Sequence, residues 1–355
     1  MARRKRRNST ATAIAILVLV LVVLGVAIAG VLVQRALFAA EPKIAVEEGQ
    51  PVSVVIATGS TTKTIADQLY KAGVVGSAKE FVNSVKGANV GAELKAGSYE
   101  FTTGMPDDVV IDALVIGPIV KYTKVTIPEG FTNRQVAARV EKAVGIPAAE
   151  FLALADEGAA QFSDEHPYLA NAYKGSLQGY LFPKTYEIKE GASAADVIEL
   201  MLDQFDKETS EIDTSFAKSR GLDLNEVVTA ASIIEREAKV AKERPLVSSV
   251  IYNRLKIGMK LQMCSTVQYI LGTTRFRLTN RDIATPSPYN TYLHPGLPPG
   301  PIANPGRAAL EAAAMPADTR YIYYVLTGKD GSQTFATNAR DFARAQQKSL
   351  EVFGQ

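Results

Sequence analysis

The chain has 355 residues, 47% of them hydrophobic and 21% charged, enough apolar material for two or three packed domains. A formal net charge of +2 leaves no basic excess over the body of the chain and argues against nucleic acid as a partner. The single Cys, Cys264, excludes an intrachain disulfide, and two His without Cys/His spacing give no reason to expect a metal centre or other cofactor.

Arg3, Arg4, Lys5, Arg6 and Arg7 precede an uncharged run from Asn8 to Gln34. Within it, the 23 residues from Ala11 to Val33 are almost wholly Ala, Val, Leu and Ile. As a helix they reach ~30 Å, the thickness of a bilayer's hydrocarbon core. A basic flank stays in the cytoplasm, so residues 1–10 are expected inside and everything after Arg35 outside. A cleaved signal peptide is the competing expectation, and Ala27-Ile28-Ala29 resembles a cleavage site. The apolar run exceeds the usual ~7–15 residues of such a peptide. A single-pass anchor at 11–33 and a tether at 34–50 are therefore expected.

From Pro51 the pattern becomes organised. Val52–Ile56 reads as a strand, Gly59–Thr62 as a turn and cap, Thr64–Ala72 and Ala78–Val85 as helices, Leu94–Phe101 as a returning strand, and Asp107–Leu114 as a further helix. Part of this recurs. Val54-Val55-Ile56 leads to Gly59 and then Ala66, and Val125-Thr126-Ile127-Pro128-Glu129 leads to Gly130 and then Ala137. Each copy is strand, Gly turn, helix, a combination common enough to arise twice by reuse. Over residues 51–117 the first copy resembles a LysM-like module, a small βαα-type unit that holds glycan chains in extracytoplasmic proteins. Its domain is placed at 51–120 and a mixed α+β domain at 121–355.

In the larger domain, residues 141–175 read as a helical, polar connection, and Ala195–Asp206 as a helix. Asn225–Arg244 holds no Gly or Pro and reads as one helix; a second starts at Pro245 and stops at Gly258. At ~100° per residue, Val227, Val228, Ala231, Ile234 and Ala238 of the first share a face. Glu235 falls inside that face, Arg236 opposite it, and Glu237 well off it. A carboxyl group on an apolar face loses hydration, which disfavours its charged form and suits a general acid at neutral pH. The alternative is a helix-flank Glu paired with Lys or Arg. The segment Thr285–Gly306 is too rich in Pro for a helix. A stiff loop carrying Tyr289, Asn290 and Tyr292 suits a sugar groove, with rings to stack and amides for hydroxyls, though a rigid surface turn would have the same composition. A helix at Arg307–Ala314, a strand at Tyr321–Leu326 and a helix from Arg340 close the domain.

Ala-Ser-Ile-Ile-Glu-Arg-Glu-Ala from Ala231, Asn-Arg-Leu-Lys-Ile-Gly-Met-Lys-Leu-Gln from Asn253, Pro-Ser-Pro-Tyr-Asn-Thr-Tyr from Pro286, and Gly-Leu-Pro-Pro-Gly-Pro-Ile-Ala-Asn-Pro-Gly from Gly296 together resemble the endolytic murein transglycosylases, over about residues 51–345. The resemblance implies a membrane-anchored lyase that cuts the β-1,4 bond between N-acetylmuramic acid and N-acetylglucosamine without water, leaving 1,6-anhydro ends. It implies nascent peptidoglycan strands as substrate, the bilayer and peptidoglycan synthases as partners, and Glu235 as the catalytic residue. Gln262, Thr266, Tyr289 and Asn290 are the expected substrate contacts. The family usually has acidic residues where this chain has Gln178 and Lys184, Gln-Thr-Asp-Pro-Thr where it has Gln262-Met263-Cys264-Ser265-Thr266, and His where it has Gln333. A non-catalytic glycan-binding scaffold is the main alternative. A penicillin-binding acyltransferase is a weaker one: Ser60-Thr61-Thr62-Lys63 and Ser215-Phe216-Ala217-Lys218 match Ser-x-x-Lys, but its companion motifs are missing.

Overall fold

The computed structural model describes residues 8–37, 47–275 and 277–354. The basic residues up to Arg7 and residues 38–46 of the expected tether lie outside the described residues. The fold is mixed α+β, and the chain divides into two units, residues 1–119 and 120–355.

In the first unit, a helix spans Asn8–Leu37. Its stretch Ile16–Gln34 is long and apolar enough to cross a membrane, a property that an anchor and a signal sequence share. Leu and Val side chains along it are exposed, which is favourable only in an apolar medium. Strand β1 (Pro51–Ile56) then pairs antiparallel with β2 (Gly97–Thr102), from Pro51 opposite Thr102 to Ile56 opposite Gly97. Between them run helices Thr62–Lys71 and Ala78–Ala88, and helix Asp107–Ile116 follows. Local chemistry sets the helix starts: Thr61 accepts from the Thr64 amide at 3.2 Å and Ser77 from the Glu80 amide at 3.3 Å. Strand alternation turns Val54 and Ile56 inward onto Ile65, Ala66, Leu69, Phe81 and Leu114, while Val55 stays exposed.

In the second unit, β3 (Tyr122–Thr126) pairs antiparallel with β4 (Thr185–Lys189), and β5 (Tyr323–Leu326) with β6 (Gln333–Ala336). Helices Asn133–Val144 and Ala148–Glu157 follow β3. The segment expected to be a polar connection is part of the core. Phe151, Ala155, Ala159 and Phe162 recur at helical spacing and are all buried.

The central helix is Leu224–Glu237, begun by a reciprocal cap between Asp223 and Glu226. Its sequence pattern suggests one buried face, yet every residue from Val227 to Ile234 is buried. Helices Arg307–Ala314, Arg244–Lys256 and Cys264–Leu271 pack around it. Its polar residues are satisfied locally: Thr229 donates to the Asn225 carbonyl at 2.7 Å and Ser232 to that of Thr229 at 2.7 Å. The expected helix to Arg244 instead ends at Glu237. Ala238 is extended, and the Glu237 carbonyl accepts from Gln333 Nε2 at 2.9 Å. No Gly or Pro was needed to stop the helix, because partners distant in sequence take its last groups. The next helix, Arg244–Lys256, starts and stops within two residues of the expected limits.

Candidate active site

Glu235 lies in the last turn of the central helix. Two donors reach its carboxyl group. The Gly306 amide, at the start of helix Arg307–Ala314, donates to Oε2 at 3.1 Å, and Arg244 Nη2 lies 3.4 Å from Oε1. The side chain is 8% exposed. The structure thus joins both sequence expectations, a nearly buried carboxyl group and an Arg partner.

Arg244 also faces Glu129, its Nη2 3.8 Å from Oε2, so one guanidinium serves two carboxyl groups. Burial raises the Glu129 pKa, the charge of Glu235 adds to the rise, and Arg244 opposes it. In the sequence, Glu129 stands out only as the end of the repeated strand–Gly pattern. Its signal was there: the first copy has Thr58 at the equivalent place. Gly306 lets Glu129 approach, since a Cβ there would lie 2.0 Å from Glu129 Oε1. Glu237, two residues on from Glu235, has a different task. Its Oε1 accepts from the Ser265 amide at 3.0 Å, placing a negative charge at the start of helix Cys264–Leu271.

Asn304 holds the surrounding loops together and was not foreseen. It is fully buried. Its Oδ1 accepts from Gly179 at 2.8 Å and Leu181 at 3.1 Å, and its Nδ2 donates to the Phe131 carbonyl at 2.9 Å. Its backbone pairs with Gly130 and Phe131 as well. Gly179 itself has φ +99°, and a Cβ there would lie 2.5 Å from Pro301. Far from being a surface turn, residues 300–306 are buried.

Beside this cluster is a cavity of about 650 Å³, walled by Asn133, Gln178, Arg236, Ser265, Tyr269 and Tyr289 among others. Glu235 is not in its wall, but its neighbour Arg236 is. Of the four expected contacts, Tyr289 lines the cavity, its ring 5.1 Å from that of Tyr269 and 6.0 Å from that of Tyr173. Gln262 is exposed, in the left-handed region at φ 49°. Thr266 and Asn290 are fully buried. Thr266 Oγ1 bonds the Met263 carbonyl and Thr291 Oγ1, at 2.8 and 3.0 Å. Asn290 Nδ2 donates to the carbonyls of Ile283 and Thr285, and its Oδ1 accepts from the Tyr292 amide. Both side chains shape the loop beneath the cavity; neither reaches its surface.

At the positions where acidic residues or His were expected, Gln178 Oε1 accepts from the Asn133 amide at 3.1 Å, Lys184 lies 3.7 Å from Glu208, and Cys264 Sγ lies 3.2 Å from the Tyr292 hydroxyl. Gln333 joins the ends of two helices, its amide on Glu243 and its Nε2 on Glu237.

His166 is buried, with Nδ1 2.6 Å from Asp206 and Nε2 3.0 Å from Glu199. Burial lowers its pKa, but the two carboxylates outweigh that and raise it. Among the described residues, Glu165, His166 and Glu199 form the cluster with the spacing of metal ligands.

Residues 54–348 match the YceG-like family. The chain belongs to that family. A Bacillus subtilis protein named endolytic murein transglycosylase is 32% identical over 308 residues, covering 84% of this chain and 85% of the relative. A Streptococcus pneumoniae protein of the same name is 32% identical over 319 residues, 82% of this chain and 57% of that longer relative. A crystal structure of a YceG-like protein from Listeria monocytogenes aligns with a TM-score of 0.59 at 33% identity, over 83% of this chain and 99% of that one. The YceG-like match begins within β1 and takes in Glu129, Glu235 and Asn304.

Proposed function

We propose that this YceG-like protein is an endolytic lytic transglycosylase acting on peptidoglycan strands. Glu235 protonates the oxygen that links N-acetylmuramic acid to the next sugar, and the C1–O bond breaks. The same carboxylate then takes the proton of the muramoyl 6-hydroxyl as that oxygen closes on C1. The products are a 1,6-anhydro end and a free 4-hydroxyl, with no water consumed. The observation that carries this reading is the nearly buried Glu235 carboxyl group, held by the Gly306 amide and Arg244 and followed in the chain by Arg236, which lines a roomy cavity.

Glu129 supports a second reading. Hydrolases that cut the same kind of bond use a pair of carboxyl groups, and Glu129 shares Arg244 with Glu235. If Glu129 activated water, the new ends would be reducing sugars. Incubating the protein with purified glycan strands and weighing the products decides between them. Anhydro ends, lighter by one water, support the transglycosylase; reducing ends support the hydrolase; binding with no new ends supports a scaffold.

The helix Ile16–Gln34 supports a single-pass anchor with its basic end in the cytoplasm, which would place residues 51–120, the LysM-like module, and the catalytic domain, 121–355, outside. Cutting would then occur near the membrane, on nascent strands, with peptidoglycan synthases as neighbours. Membrane fractions that contain a protein shortened at Ala29 would contradict the anchor.

A further inference from the structure

Three side chains in the cavity wall are buried yet hold a polar atom without a partner: Asn133 Oδ1, Gln178 Nε2 and Ser265 Oγ. Their exposures are 2%, 4% and 4%. Buried polar atoms are nearly always bonded, so three orphans on residues that wall one space point to a partner bound there.

The orientation of each side chain is fixed by its bonded end. Asn133 Nδ2 donates to the Ala155 carbonyl at 2.8 Å and to Asp156 Oδ1 at 3.2 Å. Flipping this amide would set its oxygen against two acceptors. Gln178 Oε1 accepts from the Asn133 amide at 3.1 Å, and flipping it would set a donor against a donor. The free atoms are therefore one acceptor, Asn133 Oδ1, and one donor, Gln178 Nε2. Ser265 adds a hydroxyl that can play either part, its backbone held by Glu237.

We propose that Asn133, Gln178 and Ser265 form a binding site for a secondary amide, the 2-acetamido group of an amino sugar. Gln178 Nε2 donates to the acetamido carbonyl, and the acetamido N–H donates to Asn133 Oδ1. A carboxylate would satisfy Gln178 but repel Asn133, whereas a secondary amide answers both at once. Stem-peptide amides carry the same pair of groups. The acetamido source is favoured because Tyr269 and Tyr289 line the same cavity, and aromatic side chains suit the apolar faces of a sugar better than a peptide backbone. The glycan-cleaving function bears only on where this amide comes from, so the site is tested by binding and not by turnover.

The test uses the full chain in detergent, carrying Glu235→Gln so that ligands survive. Calorimetry compares the N-acetylglucosamine trimer, the glucose trimer with hydroxyls in place of acetamido groups, and an N-acetylated stem dipeptide. The acetylated sugar is expected to bind at least tenfold more tightly than either of the others. Gln178→Glu keeps the acceptor for Asn133 and removes the donor; it should abolish most of that preference while leaving the glucose-trimer affinity unchanged. Ser265→Ala should reduce the preference by a smaller factor. Equal affinities for the two sugars, meaning that water alone fills the site, would overturn the proposal. So would a Gln178→Glu variant that weakens both sugars alike, or a dipeptide that binds as well as the acetylated sugar. Anhydro ends from the unaltered protein alongside any of these results would leave the transglycosylase reading standing and remove only the acetamido site.

Discussion

The two strand–Gly–helix copies share a local plan and differ in what their turns meet. In the first, β1 leads through Gly59 at φ +80° to the cap Thr61, and a Cβ on Gly59 would touch nothing within 4 Å. In the second, β3 leads through Gly130 at φ +75° to the cap Thr132. There a Cβ would lie 3.6 Å from Glu235 Cγ and from Arg236 Cδ. Both turns are followed by helices and then a return strand that pairs antiparallel with the first. The first copy returns through residues 89–96, the second through 158–184, a segment that carries His166 and Gln178. One architecture thus serves in one place as a small packed unit and in the other as the frame of a site. The difference lies in the turn and the return path, which in the second copy carry Glu129, Asn133 and Gln178.

Removing what holds the second turn gives the largest expected effect. Asn304→Ala leaves the Gly179 and Leu181 amides without their acceptor in a buried place, costing about 3 kcal/mol or more. Urea unfolding of the second unit checks this, and a loss below 1 kcal/mol (roughly the worth of one ordinary hydrogen bond) would deny Asn304 its role as the clamp.

The glycines sharpen the comparison next. Gly59→Ala and Gly130→Ala each force a side chain into the left-handed region, at about 1–2 kcal/mol. The stability costs should be alike, measured by thermal unfolding. Only Gly130→Ala should also slow glycan cleavage, since only that turn packs on Glu235. Equal activity in both variants would break the distinction between the copies.

The smallest effect concerns His166 in the longer return path. Its folded pKa is raised above the unfolded value of ~6.5. Its stabilisation is therefore fully present below that unfolded value and is lost as pH rises through the folded one. His166→Gln should cost about 1 kcal/mol at pH 6, limited by the partial exposure of Asp206 and Glu199. The gap to the unaltered protein should narrow at alkaline pH, as followed by melting temperature across that range.

Much of this fold was legible because local chemistry set it. Thr61 and Ser77 begin helices where hydroxyl caps stand in the sequence, and helix Arg244–Lys256 begins beside Pro245 and ends just before Gly258. The helical period placed Glu235 on an inward face, and the structure leaves it 8% exposed. What was not legible depends on partners remote in the chain. The stop at Glu237 needs Gln333, and burial all round the central helix needs three other helices. Polar residues in a Pro-rich loop look like ligand contacts, but Asn290 spends every bond on its own loop. Glu129 and Asn304 became visible only when separate segments were brought together.

The most direct test compares Glu235→Gln with Glu237→Gln on purified glycan strands, reading new ends by mass. Gln at position 237 keeps an acceptor for the Ser265 amide, so that variant should fold and still release 1,6-anhydro ends. Gln at position 235 keeps an acceptor for Gly306 but has no proton to give, and no new ends should form. Anhydro ends from Glu235→Gln, or their loss from Glu237→Gln alone, would contradict the assignment of the chemistry to Glu235.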